Sequence, residues 1–380
     1  VAAAHFFHGA PIARTVVGIS ISEVGFVVQL AVLVAGVFAI HAVPHRRREI
    51  LIGEGALCIF AWGLTGVAFA IVLVGAWALL EARALGRLRF AIAAIAIAVP
   101  SACTWIGGVF ARGALVFCVM FAMRCAVYAY ERWQDDTPVP LADYLAYMLV
   151  APLIVIPPYM AFIPLFGGFA GCVIAPSSVH LRTAARHVVW AAVFAGVLVA
   201  YRWTKSELEL PGFLAFYGRL GAEFLDFAAL VHLVLAALLV HGVELSSPID
   251  RPAAATSFLE LWRRFGRHLR DAQLFLFYSP ALLRLRHRGR YTALVLATAW
   301  TMIIGNTLVH VAIRYCFLPD PWSRIGWSLV ANTLMAVALA VELCIAERRR
   351  HVRDAREPSV VGSLVGWAST MTLAATVLWL

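Results

Sequence analysis

Asn306, His310 and Arg314 stand at every fourth position in the stretch GNTLVHVAIRY, Gly305 to Tyr315. On a helix that interval puts all three on one face. A neutral imidazole can take a proton from a hydroxyl near pH 7. Asn306, one turn earlier, can hold the ring in one orientation, or its amide can donate to an oxyanion that forms in the reaction. Arg314 reads as a cation anchored near a membrane surface. The run that carries them is apolar and long enough to cross a bilayer, where an ionisable residue is costly and by default functional. Glu23, Glu54, Arg124, Glu223, Asp226, His232 and His241 also fall in or near apolar runs. The alternative for each is a helix-end residue reaching the interface, or an interhelical hydrogen bond.

The elements that must position these groups are membrane helices. Of 380 residues, 62% are hydrophobic and 14% charged, with a mean hydropathy of +0.85. Soluble domains run near 25% charged. Apolar runs fall at roughly 16–42, 50–82, 90–106, 108–130, 142–171, 188–203, 213–243, 291–318, 325–346 and 359–380. They are continuous rather than alternating, so they predict helices and not a barrel. The expected fold is all-α and polytopic, with about 9–11 transmembrane helices plus re-entrant or interfacial ones. The run 50–82 is long enough to be tilted or broken. The run 142–171 holds Pro152, Pro157, Pro158 and Pro164, so it cannot be one regular helix. Irregular backbone at that depth implies a surrounding cavity or protein.

The net charge of +10 is nearly all arginine, with Lys205 the only lysine. The arginines cluster between apolar runs, which points to the inner membrane surface and away from nucleic acid. Cys58, Cys103, Cys118, Cys125, Cys172, Cys316 and Cys344 lie mostly within the apolar runs and read as small apolar residues. Their spacing offers no metal site. No cleavable signal is expected, since the first helix would serve for insertion.

The segment 247–290 differs from its surroundings, with nine arginines against Asp250, Glu260 and Asp271. Over 256–277 apolar and basic residues alternate with helical rhythm, which predicts a helix lying in the interface or entering partway. That segment and ERRRHVRDARE (347–357) are both expected on the cytoplasmic side, with the loop LPDPWSR facing outward. At 1.5 Å per residue, His310 then lies roughly 30 Å beyond Arg290, in the outer half of the membrane.

SPIDRPAAATSFLELWRRFGRHLRD resembles the signature of membrane-bound O-acyltransferases, through Pro248, the Thr256-Ser257-Phe258 turn and Trp262-Arg263-Arg264. FYSPALL, with Tyr278 and Pro280, is similar to that family's Tyr-x-Pro-Leu, and GNTLVHV aligns with its histidine region. The resemblance covers about 120–350, and the order of the motifs carries it. It departs at Gly266 and Ala331, where family members carry histidines, and at Val309 and Val311 beside His310.

The resemblance implies a ring of helices around a central tunnel. His310 would be the general base, assisted by Asn306. Trp262, Arg263, Arg264, Arg267, His268 and Tyr278 would receive the donor, an acyl-CoA or acyl-carrier thioester serving as co-substrate. No metal or cofactor is implied. The acceptor would be a hydroxyl of a glycan, glycolipid or lipid, and a separate extracytoplasmic protein is a further expected partner. The alanine- and arginine-rich composition suggests a bacterial inner membrane. The chain is expected to form one membrane-embedded domain, with N-terminal helices over 1–130, the resembling core over 131–350 and a C-terminal helix over 351–380. Two rivals stand beside this reading: a transporter or channel built on Glu54, Glu223, Asp226 and His232, and a non-catalytic membrane scaffold.

Overall fold

The structure, a computed structural model, describes residues 23–61, 64–90, 92, 112–135, 137–155, 165–174, 177–207, 212–308, 325–351 and 360–379. Across them the fold is all-α. The described residues hold two isolated β-bridges, Val173 with Val243 and Ile249 with Phe265. The described residues divide into two compact units, one gathering those of 23–190 with 232–246, the other those of 191–231 with 247–379.

In the first unit, α1 (Glu23–Ala42) and α2 (Arg47–Phe60) are apolar helices joined by a 3-10 turn at Pro44–Arg46. Pro44 cannot donate to the preceding turn, so α1 ends there. The chain bends by 118° between the two. Gln29 Nε2 ties them by donating to the Cys58 carbonyl at 2.8 Å. Gly36 lets them close up, because a Cβ there would fall 2.4 Å from the Glu54 carboxyl.

The run 50–82, expected to be tilted or broken, is broken: α3 (Leu64–Glu81) follows α2 as a separate helix. The proline-bearing run also divides, into α5 (Leu141–Met148) and α6 (Ala151–Val155). The long helix α4 (Arg112–Gln134) supplies what that break requires. Arg124 on α4 donates to the carbonyls of Tyr147 and Met148 at 3.3 and 3.2 Å. Both oxygens belong to the last turn of α5, where carbonyls face outward from the helix end. Arg124 is therefore an interhelical tie.

α7 (Ser178–Glu207) and α8 (Gly212–Val240) follow. The second unit then holds α9 (Phe258–Arg264), α10 (Arg267–Gln273), a π-helical segment Leu274–Tyr278 and α11 (Ser279–Leu285). After these come α12 (Arg290–Ala299), a second π-helical segment Trp300–Asn306, α13 (Ile325–His351) and α14 (Val360–Trp379). Its core joins Phe258 and Leu261 of α9, Met302 of the second π-helical segment, Met335 and Leu339 of α13, and Met371 and Ala374 of α14. Gly366 brings α14 against the loop before α9, since a Cβ there would lie 2.4 Å from the Thr256 carbonyl oxygen. Trp367 Nε1 donates to the Ala253 carbonyl at 2.7 Å beside it.

The single interfacial helix expected over 256–277 is instead two seven-residue helices and a π-helical segment. The break is at Gly266, which sits at φ 68° and ψ 39°, a left-handed conformation that suits glycine. The extended chain before it pairs with the break: Asp250 N–H donates to the Arg264 carbonyl and Arg267 N–H to the Pro248 carbonyl, both at 2.8 Å. A periodic pattern does not register this turn, because each seven-residue helix carries a helical rhythm of its own.

Two helices among the described residues are long and apolar enough to cross a membrane, Ser178–Thr204 with mean hydropathy 1.6 and Ser328–Arg348 with 2.1; the bent pair α1–α2 makes three if counted as one. Their apolar side chains point outward: Val189, Val199 and Trp203 on α7 and Val337 and Val341 on α13 are all exposed. Such continuous apolar surface suits lipid.

Candidate functional site

Asn306 is the residue of the sequence-derived pair that the structure describes; His310, Arg314, Val309 and Val311 lie outside the described residues. The side chains of Glu23 and Glu223 also lie outside them. Asn306 ends the second π-helical segment and is 1% exposed. Gly305 before it removes the side chain that would meet Phe277, whose ring would lie 2.9 Å from a Cβ. The two π-helical segments therefore pack directly, and this brings Asn306 to Gln273 at the end of α10.

From there a line of side-chain amides runs through the unit. Gln273 Nε2 donates to Asn306 Oδ1 at 2.8 Å. Asn306 Nδ2 donates to Asn332 Oδ1 on α13 at 2.7 Å. Asn332 Nδ2 donates to the Thr307 hydroxyl at 2.7 Å. All four residues are buried. The amide expected to orient His310 is thus held by two other helices. Asn306 keeps one N–H and one lone pair beyond these bonds. At the other end Gln273 Oε1 is buried with no hydrogen-bond partner.

Neither Gln273 nor Asn332 stands out in the sequence, where Ala331 marks only a departure from the resembling family. A signal was present, since three carboxamides in apolar helices are expensive unless they meet. Their separations of 33 and 26 residues gave no way to see which would pair.

The expected donor-binding residues stand on α9, α10 and the first π-helical segment. Trp262 is half-buried against the core of the unit. Arg263 is exposed, and its carbonyl accepts from Arg270 at 2.9 Å. Arg264 pairs with Glu260 and donates to the Arg251 carbonyl at 3.3 Å, so its guanidinium is committed within the segment. Arg267 is half-buried next to the Gly266 break, and Tyr278 is half-buried. His268 is buried, which places it inside and not at an open entrance.

The start of α9 is built with care for its unpaired N–H groups. Ser257 Oγ accepts the Glu260 N–H at 3.1 Å. Glu260 reaches back to accept the Thr256 N–H at 2.7 Å and its hydroxyl at 3.0 Å, a capping box shifted one residue outward. Glu342 of α13 accepts the N–H groups of Phe258 and Leu259. Burial pushes the Glu260 carboxyl up, but the Thr256 bonds and Arg264 outweigh it and hold the group below the ordinary glutamate range. This is the turn that the sequence marked as Thr256-Ser257-Phe258.

The first unit has a separate buried ionisable pair. His241 Nε2 lies 2.8 Å from Glu54 Oε1 and 3.2 Å from the Leu33 carbonyl, while Nδ1 lies 2.5 Å from the Ala237 carbonyl. A carbonyl only accepts, so Nδ1 carries a hydrogen. A hydrogen on either Nε2 or Oε1 makes the contact between them. His187 and His232 meet through their Nδ1 atoms at 2.7 Å. Among the described residues no group of three or more His, Cys, Asp or Glu side chains could hold a metal ion.

No protein-family model matches the chain, and no curated protein matches it.

Proposed function

We propose that the chain is a membrane-embedded acyltransferase of the membrane-bound O-acyltransferase type, moving an acyl group from a thioester to a hydroxyl. The observation that carries this reading is the buried amide line at Asn306. It commits three carboxamides in an apolar setting to one place, a single helical turn before His310 in sequence. The two packed π-helical segments support it, because such turns in α-helical runs gather at functional sites.

In the proposed reaction His310 takes the acceptor hydroxyl proton as the oxygen attacks the thioester carbonyl carbon. The carbon–sulfur bond breaks and the thiolate leaves with that proton. The free N–H of Asn306 supports either the imidazole or the oxyanion. The exposed Arg263, with Arg267 on the next helix, gives an anionic pantetheine phosphate its first contact. Trp262 and Tyr278 help receive the donor in this reading. The acceptor is a glycan, glycolipid or lipid hydroxyl of a bacterial cell envelope, and an extracytoplasmic protein delivers or receives it.

The proposed architecture is about nine to eleven crossings around a tunnel. The shorter apolar helices Gly66–Glu81, Leu141–Val155 and Phe224–Val240 support a count above the three that length alone allows. Irregular backbone at the α5–α6 break supports a lined interior.

The test is transfer of label from a panel of radiolabelled acyl-CoAs into a lipid and glycan extract, with wild type and His310→Ala side by side. Transfer by wild type alone supports the reading; equal transfer by both removes His310 from the chemistry. A second reading, a proton-coupled transporter, is favoured by the Glu54–His241 pair, a carboxyl and an imidazole in contact inside an apolar unit. Proton uptake by vesicles that Glu54→Gln abolishes, without acyl transfer, would select it.

A further inference from the structure

The nine arginines of 247–290 divide by partner. Arg251, Arg264 and Arg270 pair with Asp250, Glu260 and Asp271, which uses every acid of the segment. Arg290 pairs with Glu347 of α13. Arg263 and Arg267 are assigned above to the donor. Arg284, Arg286 and Arg288 remain, all exposed and without a hydrogen bond or ion pair to a described residue. They stand together at the end of α11 and on the 3-10 turn Arg286–Arg288. Like charges so close repel one another, and an anion among them turns that repulsion into attraction. The guanidinium fork matches a phosphate in particular.

The depth of this turn follows from its neighbour. The Arg290–Glu347 pair ties it to the end of Ser328–Arg348, a stretch long and apolar enough to cross a membrane. Lipid phosphates stand at the level where a crossing ends. Beyond the turn, α12 and the residue after it present Tyr291, Val295, Leu296 and Trp300, all exposed and recurring with the helical turn. From Tyr291 to Trp300 the chain rises roughly 14 Å, about the hydrocarbon depth of one leaflet. Three unpaired cations therefore head an apolar track of acyl-chain length.

We propose that Arg284, Arg286 and Arg288 hold the phosphate of an anionic phospholipid whose acyl chain lies along Tyr291, Val295 and Trp300. A soluble anion fills the head of this track and leaves the rest bare; a lipid fills both. A zwitterionic headgroup brings a cation of its own among the arginines and gains less from them. Phosphatidylglycerol carries the required chemistry, one phosphate and no cation. The inference does not depend on the acyl-transfer reading.

The test places the full chain in phosphatidylcholine vesicles with a minor share of brominated lipid, either phosphatidylglycerol or phosphatidylcholine. Bromine quenches a tryptophan that it touches, and the difference between wild type and Trp300→Phe isolates Trp300. Brominated phosphatidylglycerol is expected to be enriched at Trp300 about fivefold or more over brominated phosphatidylcholine, the worth of one arginine at a charged surface. Arg284→Gln with Arg286→Gln and Arg288→Gln is expected to bring that ratio to about one. Arg46→Gln with Arg87→Gln and Arg186→Gln removes the same net charge elsewhere in the chain and is expected to leave the ratio as it was.

A wild-type ratio of about one overturns the proposal, as does a ratio that survives in the first triple variant or falls equally in both. Inorganic phosphate that relieves the quenching more than sodium chloride of equal ionic strength would identify a free anion as the occupant and overturn the lipid. If the first triple variant does not fold, wild type alone decides. Exposed charges are screened, so the ratio should fall towards one as sodium chloride is raised, and a ratio indifferent to salt overturns the proposal.

Discussion

Glu342 of α13 caps the helix that Phe258 begins: its Oε1 accepts the Phe258 N–H at 2.9 Å and its Oε2 the Leu259 N–H at 2.7 Å. One carboxylate spans two of the unpaired donors of α9, and its charge faces the positive end of that helix. Glu342→Ala is expected to lower stability by about 1–2 kcal/mol, as loss of a helix cap does. The loss should concentrate in 256–265, read as faster proteolysis there. Uniform destabilisation without local cleavage would contradict the capping role.

Glu54 and His241 make a buried pair in the other unit, with side chains 2% and 3% exposed. Glu54→Leu leaves His241 Nε2 facing the Leu33 carbonyl alone, and the expected cost is about 3–5 kcal/mol. The double change Glu54→Leu with His241→Leu is expected to cost less than either single change. Unfolding in mixed detergent measures all three, and additive losses would exclude a coupled pair.

Asn332 sits in the middle of the amide line. Asn332→Leu removes the acceptor of Asn306 and the donor to Thr307 together. Stability should fall by about 1–3 kcal/mol through the groups left buried and unpaired. Under the acyl-transfer reading, turnover should fall further than the melting temperature explains, because Asn306 loses its fixed orientation.

Gly366 allows α14 to reach the loop before α9, and a Cβ there would stand 2.4 Å from the Thr256 oxygen. The neighbour is backbone and cannot swing away. Gly366→Ala is expected to cost about 1–3 kcal/mol, as overpacking does. It should also shift Trp367 fluorescence, since the Trp367 bond to the Ala253 carbonyl lies one residue on. An unchanged spectrum would mean that α14 adapts without moving.

Glu260 has a folded pKa below its ordinary value of 4.5. Its contribution is therefore fully present above that value and is lost as pH falls through the folded one. In melting curves between about pH 5 and pH 3, wild type should lose stability faster than Glu260→Gln, which has no proton to bind. Parallel acid limbs would show that the capping box contributes nothing through charge.

The helices themselves were legible in the sequence wherever apolar length decided the matter. The break at 50–82 was one of two outcomes that its length allowed, the division of the 142–171 run followed from its prolines, and the turn at Thr256-Ser257-Phe258 came from the family resemblance. Gly266 was noticed for the residue it replaces in the resemblance, whereas its physical role is a left-handed turn. Asn306 was visible because it breaks an apolar run, but its partners were not. Gln273 and Asn332 come from helices distant in sequence, and pairing across such distance depends on packing angles that no spacing rule encodes. The π-helical segments hid for the same reason, as their residues are those of any apolar helix.

Those segments also make the length of this stretch an angular setting. In an α-helix each residue turns the chain by about 100°. The widened turn at Trp300–Asn306 holds more residues per revolution than its neighbours, so it holds back the phase of everything that follows. Removing a single residue between 300 and 304 would let the turn relax to ordinary winding and leave Asn306 facing Gln273. Removing one from α12, where the winding is already ordinary, would swing Asn306 by about 100° away from Gln273 with every side chain of the amide line still present. Composition would be nearly unchanged and hydropathy the same. A one-residue deletion is thus absorbed in the wide turn and becomes a rotation beside it, and its effect is set by phase and not by what was lost.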